Sequence, residues 1–388
     1  MSQASGRHFL QIPGPTNVPD QVLRAISSPT IDHRGPDFAE LTHQLLDAIK
    51  PVFGTAGPVM IYPSSGTGAW EAALVNTLSP GDRVLCFETG QFATLWQEMA
   101  RSLGLQVDFV PGDGRHGVDP GLVAEKLAAD TARSIKAVCV VHNETSTGVT
   151  SRLPEIRQAI DTTGHSALLL VDAISSLGSA DYRHDEWGVD VTVAGSQKGL
   201  MLPPGLGFNA ISDKALEASR TAGLPRSYWD WKPIIEANQR GSFPYTPATN
   251  LLYGLREALR MLDAEGLPAV FARHARHARA ARAAVRGWGL EVMCLDEREH
   301  SGSVTAVLVP QDQDADKIRQ IILERFDMSL GAGLGKFTGR IFRIGHLGHF
   351  NDLTLAGTLA GVQMGLQLAG LDIDPGGVDA ALDVLRSE

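Results

Sequence analysis

From residue 59 onward, short apolar runs recur along the chain. They fall at 59–62, 83–87, 107–110, 137–141, 167–171, 191–194 and 207–211. Helical patterns fill most of the gaps, notably 68–77, 92–103 and 122–129. Continuous apolar strands separated by helices predict a mostly parallel sheet covered on both faces. Ligands of such α/β sheets lie beyond the carboxyl ends of the strands.

The pattern breaks over 213–256, where SYWDWKP is aromatic and GSFPYTPATN is rich in proline. Beyond it, 255–264 and 269–288 read as helices, 290–295 and 304–309 as strands, 314–326 as a helix and 341–344 as a strand. A closing helix is expected over 354–368. Ahead of the sheet, Pro13, Pro15 and Pro19 predict an irregular arm that must lie against something else. An amphipathic helix is expected from about 37 to 50. The division is therefore an arm over 1–19, a large domain over 20–260 and a small α+β domain over 261–388.

Composition narrows the class. The 388 residues are 43% hydrophobic and 20% charged, as in a globular protein with a large core. The net charge of −10 argues against a nucleic-acid partner. The run HARHARHARAARAAVR is accordingly expected to be the solvated face of a surface helix. Cys86, Cys139 and Cys294 sit in VLCF, AVCVV and VMCL, which predicts buried strand thiols in a reducing compartment. The start MSQASGRHFL lacks a signal-peptide core, and no run has the length of a bilayer span. The end LDVLRSE carries no targeting tripeptide, so the cytoplasm is expected and no membrane partner.

The chemistry gathers at strand ends. VTVAGSQKGLMLPPG places Lys198 just past an apolar strand, among glycines, where a lysine is poor core material. Its chemical use would be as an amine that holds a carbonyl cofactor as a Schiff base. The upstream run 167–171 ends in Asp172, and 26 residues separate the two, enough for one crossover between neighbouring strands. This pairing suits pyridoxal phosphate: the lysine takes the aldehyde, and the carboxylate keeps the pyridine nitrogen protonated. Residues 62–71, YPSSGTGAWE, follow the first strand and open a helix, where backbone N–H groups favour an anion. As a dinucleotide fingerprint GTGAWE fails, because Glu71 replaces its third glycine. GAGLGK at 331–336 resembles a P-loop, but it is one residue short, and Phe337 stands where a magnesium-binding hydroxyl belongs. No metal site is expected.

VDAISSLGS, the 26-residue spacing and GSQKGLMLPPG together resemble the class V aminotransferases of fold type I. The likeness is greatest to the serine–glyoxylate and alanine–glyoxylate aminotransferases, and it runs from PGPTN at 13–17 to RIGH at 343–346. It implies the PLP-dependent transferase fold type I: a mostly parallel seven-stranded sheet in a large domain, and a smaller α+β C-terminal domain. It also implies pyridoxal 5'-phosphate and the following roles. Ser65, Gly66, Thr67 and Gln197 would hold the phosphate, and Thr145 the 3′-oxygen. Phe92 would stack on the ring, where animal relatives carry tryptophan. Thr246 would cross to the phosphate of a neighbouring subunit in a homodimer. The tyrosine expected three residues earlier is Phe243 here, which leaves open whether Tyr245 supplies that hydroxyl. Arg343 would grip the substrate α-carboxylate through its planar fork, with Asn17 near the substrate.

The resulting expectation is a ping-pong transaminase that converts glyoxylate to glycine, with L-serine as donor. Alanine, aspartate and 2-aminoethylphosphonate are alternative donors. A dicarboxylate donor would need a second cation, and His33, Arg34, His346 and His349 are the candidates. A cysteine desulfurase-like lyase would need a cysteine on a mobile loop. A non-catalytic PLP-binding protein would have no reason to keep both Asp172 and Lys198.

Overall fold

The computed structural model describes residues 6–387. The chain opens with β1 (Phe9–Gln11), α1 (Asp20–Ile26), α2 (Pro36–Ala48) and α3 (Lys50–Phe53). Strands and helices then alternate: β2 (Val59–Ser64), α4 (Gly66–Thr77), β3 (Arg83–Phe87), α5 (Gln91–Ser102), β4 (Gln106–Val110), α6 (Pro120–Ala129) and β5 (Ile135–Val141). A ribbon of β6 (Asn143–Glu144) and β7 (Val149–Thr150) precedes α7 (Leu153–Thr162), β8 (Leu168–Asp172), β9 (Val191–Gly195) and β10 (Gly205–Ile211). Next come α8 (Asp213–Ser219), α9 (Trp231–Asn238), α10 (Thr249–Glu265) and α11 (Leu267–Gly287). The C-terminal part holds β11 (Glu291–Val292), β12 (Val304–Leu308), α12 (Ala315–Phe326), β13 (Met328–Ala332), β14 (Ile341–Gly345), α13 (Asp352–Leu368) and α14 (Gly377–Arg386).

All seven predicted runs are strands of one sheet, in the order β2-β10-β9-β8-β5-β3-β4. Strand β10 runs antiparallel to both its neighbours, and the other pairings are parallel. Successive side chains serve opposite cores. In β5, Val138 and Val140 face one core while Ala137 and Cys139 face the other; in β8, Leu169 and Val171 oppose Leu168 and Leu170. Burial on both faces is why these strands read as unbroken apolar runs. Each fully buried aliphatic side chain contributes about 1.5–3 kcal/mol. A third core belongs to the C-terminal α+β layer, whose five-stranded sheet has the order β1-β13-β14-β12-β11. No helix among the described residues is long and apolar enough to cross a membrane.

The departures from expectation cluster outside the large sheet. The arm is not wholly irregular: Phe9–Gln11 pairs in parallel with Met328–Leu330. The predicted strand 290–295 shrinks to Glu291–Val292, so Cys294 lies beyond it, though still buried. Helix 354–368 does not close the fold; α14 follows and packs on α11 and α13. The basic run of α11 is not a solvated face. His274 and His277, three residues apart on one face, are both buried. His274 Nδ1 donates to Val270 O at 2.7 Å, and its Nε2 accepts from Gly348 N at 3.0 Å. Arg282 donates to Ser301 O at 3.1 Å. Helices packed on both sides of α11 turn the histidines inward.

Candidate active site

Strands β8 and β9 lie side by side in parallel, so their carboxyl ends open on the same edge of the sheet. Asp172 is the last residue of β8, and Lys198 follows β9 by three. Both are buried. The Asp172 carboxylate accepts from Ile174 N at 2.7 Å and Trp70 Nε1 at 2.9 Å. Burial raises its pKa to about 7, and Glu144 adds to the rise against the two hydrogen bonds and Lys198. Burial lowers Lys198 to about 7, assisted by the charge of Arg343 and opposed by Asp172 and Glu144. A lysine near neutrality can act as base and acid at physiological pH.

The N-terminal arm encloses the lysine. Lys198 Nζ donates to the carbonyl of Pro13. A Cβ on Gly14 would fall 2.4 Å from Lys198 Cδ, and its φ is +103°, so glycine is needed there on both counts. Thr16 N donates to Gln197 O at 3.1 Å, and Thr16 Oγ1 to Lys198 O at 3.2 Å.

A second cluster forms at the start of α4. Ser65 occupies the N-cap in extended geometry, but no side chain caps this helix. Its first amide groups therefore face outward as an anion-binding end. Gln197 is adjacent: a Cβ on Gly195 would lie 3.0 Å from Gln197 Oε1 and 3.4 Å from Gly66 N. Gln197 Oε1 is buried and has no hydrogen-bond partner among the described residues. Ser65 and Thr67 are exposed at this end.

The small sheet supplies Arg343, on β14. Its Nη1 donates to Thr145 O at 2.8 Å and its Nε to Ala332 O at 2.7 Å. Both anchors are neutral carbonyls, so the guanidinium charge is left for a ligand. Burial lowers its pKa to about 10, with Glu144 opposing. Thr145 and Ser175 hydroxyls bond one another. Phe92, in the first turn of α5, stands edge-on to Trp70 with ring centres 6.4 Å apart.

A buried lysine, a buried carboxylate, an uncapped helix end and an orphaned amide suit a cofactor with an aldehyde, a ring nitrogen and a phosphate. The Aminotransferase class-V family model matches residues 8–334.

This chain belongs to the class V aminotransferases.

It is 49% identical to the serine–glyoxylate aminotransferase of Methylorubrum extorquens, over 98% of this chain and 96% of that one. It is 45% identical to the L-aspartate–glyoxylate aminotransferase of Paracoccus denitrificans, over 97% and 95% respectively. The structure superposes on pyridoxamine–pyruvate aminotransferase from Mesorhizobium loti with a TM-score of 0.92 and 28% identity, each chain fully covered. The fold is thus the PLP-dependent fold type I, and the aminotransferase uses pyridoxal phosphate.

In this aminotransferase, Asp172, Arg343 and Lys198 lie within electrostatic reach of one another, Gln197 precedes the lysine, and Thr145 O accepts from Arg343. Other predicted residues are placed differently. Asn17 turns back to the arm, donating to Leu10 O at 3.0 Å. Thr246 is exposed on the loop before α10. Phe243 is spent on its own core, with its ring centre 6.1 Å from Phe38. Tyr245 stacks on Tyr228 at 4.2 Å, and its buried hydroxyl has no partner among the described residues. His346 is removed from the candidate cations: it is buried, bonded to Thr305 Oγ1 at 2.9 Å, and burial holds its pKa well below the usual range. Sequence reasoning missed Trp70, Glu144 and Ser175. Glu144 stood in plain sight within HNETSTG, but a carboxylate beside a cofactor hydroxyl site has no obvious use until its partners are known.

Proposed function

We propose that this aminotransferase transfers the amino group of L-serine to glyoxylate, giving glycine and a 2-oxo acid by a ping-pong mechanism. The name of the Methylorubrum relative supports this donor, and that of the Paracoccus relative offers aspartate instead. The observation that favours serine is the charge pattern around Lys198. The ions acting on it are Arg343, Asp172 and Glu144, which is one cation and two acids besides the lysine itself. One guanidinium serves one α-carboxylate. A second carboxylate on the donor would add negative charge to a site that already holds two acids and one guanidinium. With His346 neutral, the other candidate cations are in loops, and Arg34 and His349 are exposed.

Bound pyridoxal phosphate would supply a carbonyl for amines and a ring that takes up the electrons released at the substrate Cα. The protein does the rest. Arg343 holds the α-carboxylate and so orients Cα. Lys198 would take the substrate Cα proton as general base and deliver it as general acid to the cofactor's C4′. Asp172 would stabilise the protonated ring nitrogen. Ser65, Gly66, Thr67 and Gln197 would hold the phosphate, Phe92 would cover the ring, and Thr145 would bond the 3′-oxygen.

Thr246 is exposed in its own chain, which supports a homodimer in which it completes the neighbour's phosphate site. The three buried free cysteines favour the cytoplasm. Their burial also disfavours desulfurase chemistry, which needs an accessible thiolate; burial pushes Cys294 up to about 12. The three cores favour domain boundaries near 20–260 and 261–388, with the arm joined to the small domain.

The test is kcat/KM for serine, alanine and aspartate with glyoxylate saturating, in wild type and Arg343→Lys. Serine is expected to lead. Arg343→Lys is expected to cost every donor about 2–5 kcal/mol. An aspartate lead of tenfold or more would overturn the donor assignment.

A further inference from the structure

Glu144 ends β6 inside the fold, with no exposed surface. Its Oε1 accepts from Ser146 N at 3.1 Å, Ser146 Oγ at 2.5 Å and Phe92 N at 3.3 Å. Its Oε2 accepts from Ala93 N at 3.1 Å. Gln91 N donates to Ser146 Oγ at 2.9 Å. Three successive amide groups at the start of α5 are therefore satisfied by the turn 144–146, about fifty residues further along the chain. The approach is close: a Cβ on Gly90 would fall 2.3 Å from Ser146 Oγ and 2.6 Å from Glu144 Cγ.

Where a side chain caps another α-helix among the described residues, it belongs to the N-cap residue of that helix. Asp119 and Asp230 cap α6 and α9 from the N-cap position itself. Burying a carboxylate costs far more than such a cap requires, unless its location does something further. Here the location lies between two site elements. On one side, α5 carries Phe92. On the other, the same turn carries Thr145, whose carbonyl anchors Arg343 and whose hydroxyl bonds Ser175.

We propose that Glu144 is a positioning residue, tying the start of α5 to the turn that orients Arg343, so that the Phe92 ring and the guanidinium keep one fixed separation. The roles of Phe92 and Arg343 in this inference rest on the function proposed above. Glu144 acts through its neighbours and touches no reacting atom. Its negative charge near the helix N-terminus adds to the hold.

Glu144→Gln keeps the volume but leaves one acceptor oxygen and turns an NH2 group toward amide donors. The stacked Trp70–Trp96 pair, 5.9 Å apart with one ring on α4 and one on α5, reports any shift of α5 in the cofactor-free protein. The expected result is altered near-ultraviolet circular dichroism of the cofactor-free variant and a weakened visible dichroism of the loaded one. The KM for both serine and glyoxylate should rise, and kcat/KM should fall about 10–100-fold, the scale of a small misplacement in a reactive site. Gly90→Ala, which keeps the carboxylate but pushes α5 away, should move every readout in the same direction. The proposal is overturned if Glu144→Gln melts at lower temperature while both dichroism signals and both KM values stay within twofold of wild type. If that variant does not fold, Gly90→Ala and Ser146→Ala decide on the same readouts. The dichroism arms stand whichever donor leads in wild type, so failure of the serine assignment is separable.

Discussion

The two ends of the active site are built differently. At the strand ends, Asp172 and Lys198 are buried and bonded within one chain: the carboxylate to Ile174 and Trp70, the amine to Pro13. At the start of α4, Ser65 and Thr67 are exposed, and the neighbouring buried Gln197 Oε1 has no partner among the described residues. The end that performs proton chemistry is preorganised, which electrostatic catalysis rewards. The start of α4 is left open, and under the function proposed above a bound anion completes it. An unsatisfied buried polar atom is costly, and Gln197 Oε1 leaves one beside the uncapped start of α4.

The hardest test of the preorganised end is Lys198→Ala. It should reduce turnover about 10³-fold or more and abolish the visible band of lysine-linked cofactor, while the melting transition stays cooperative. A purified wild-type protein that gains no visible band with pyridoxal phosphate would refute the cofactor site altogether. Asp172→Asn should still bind cofactor but lose on the order of 10²–10³-fold in turnover, because a preorganised charge is gone. Near-normal turnover would mean that another carboxylate serves the ring.

Thr246→Ala probes the incomplete end. It should weaken cofactor binding by about 1.5–3 kcal/mol, the value of a hydrogen bond to a charged group, and leave kcat of the saturated enzyme nearly unchanged. Light scattering should find a dimer; a monomer fully active at low concentration would remove the shared-site half of the comparison.

A further test is the pH dependence of stability in the cofactor-free protein. Asp172 is raised on folding to about 7, so the folded state holds an extra proton between the usual aspartate pKa and 7. Its contribution to stability falls as pH rises through that window. Lys198 is lowered to about 7, so the unfolded state holds the extra proton above 7, and its contribution improves as pH rises toward the usual lysine range. Together they place a minimum near neutrality. Asp172→Asn should flatten the acid limb and Lys198→Ala the alkaline limb in urea melts. Unchanged limbs would show that neither group is held as described.

The large sheet was legible because its strands, the half-buried edge strand β4 apart, are buried on both faces, so run and element coincide within one or two residues. The reactive pair was legible for the same reason, since Asp172 and Lys198 interrupt apolar runs where a core residue would be expected. β1 was not legible: three residues give no period, and its partner β13, MSLGA, carries a serine and a glycine in place of an apolar run. Trp70 carried no assignment in the sequence, because its N–H toward Asp172 is a tertiary fact. The α11 histidines misled because alanine fills the rest of the helix, and charge alone cannot say which side meets a neighbour.

The pairing of Phe9 with Met328 sets a timetable for synthesis. The arm that roofs Lys198 is made more than three hundred residues before the strand it docks on. Until then the arm is held over the lysine by the bonds of Thr16 to Gln197 and Lys198. A chain truncated before β13 would keep Asp172 and Lys198 but lose the strand that pins the start of their roof.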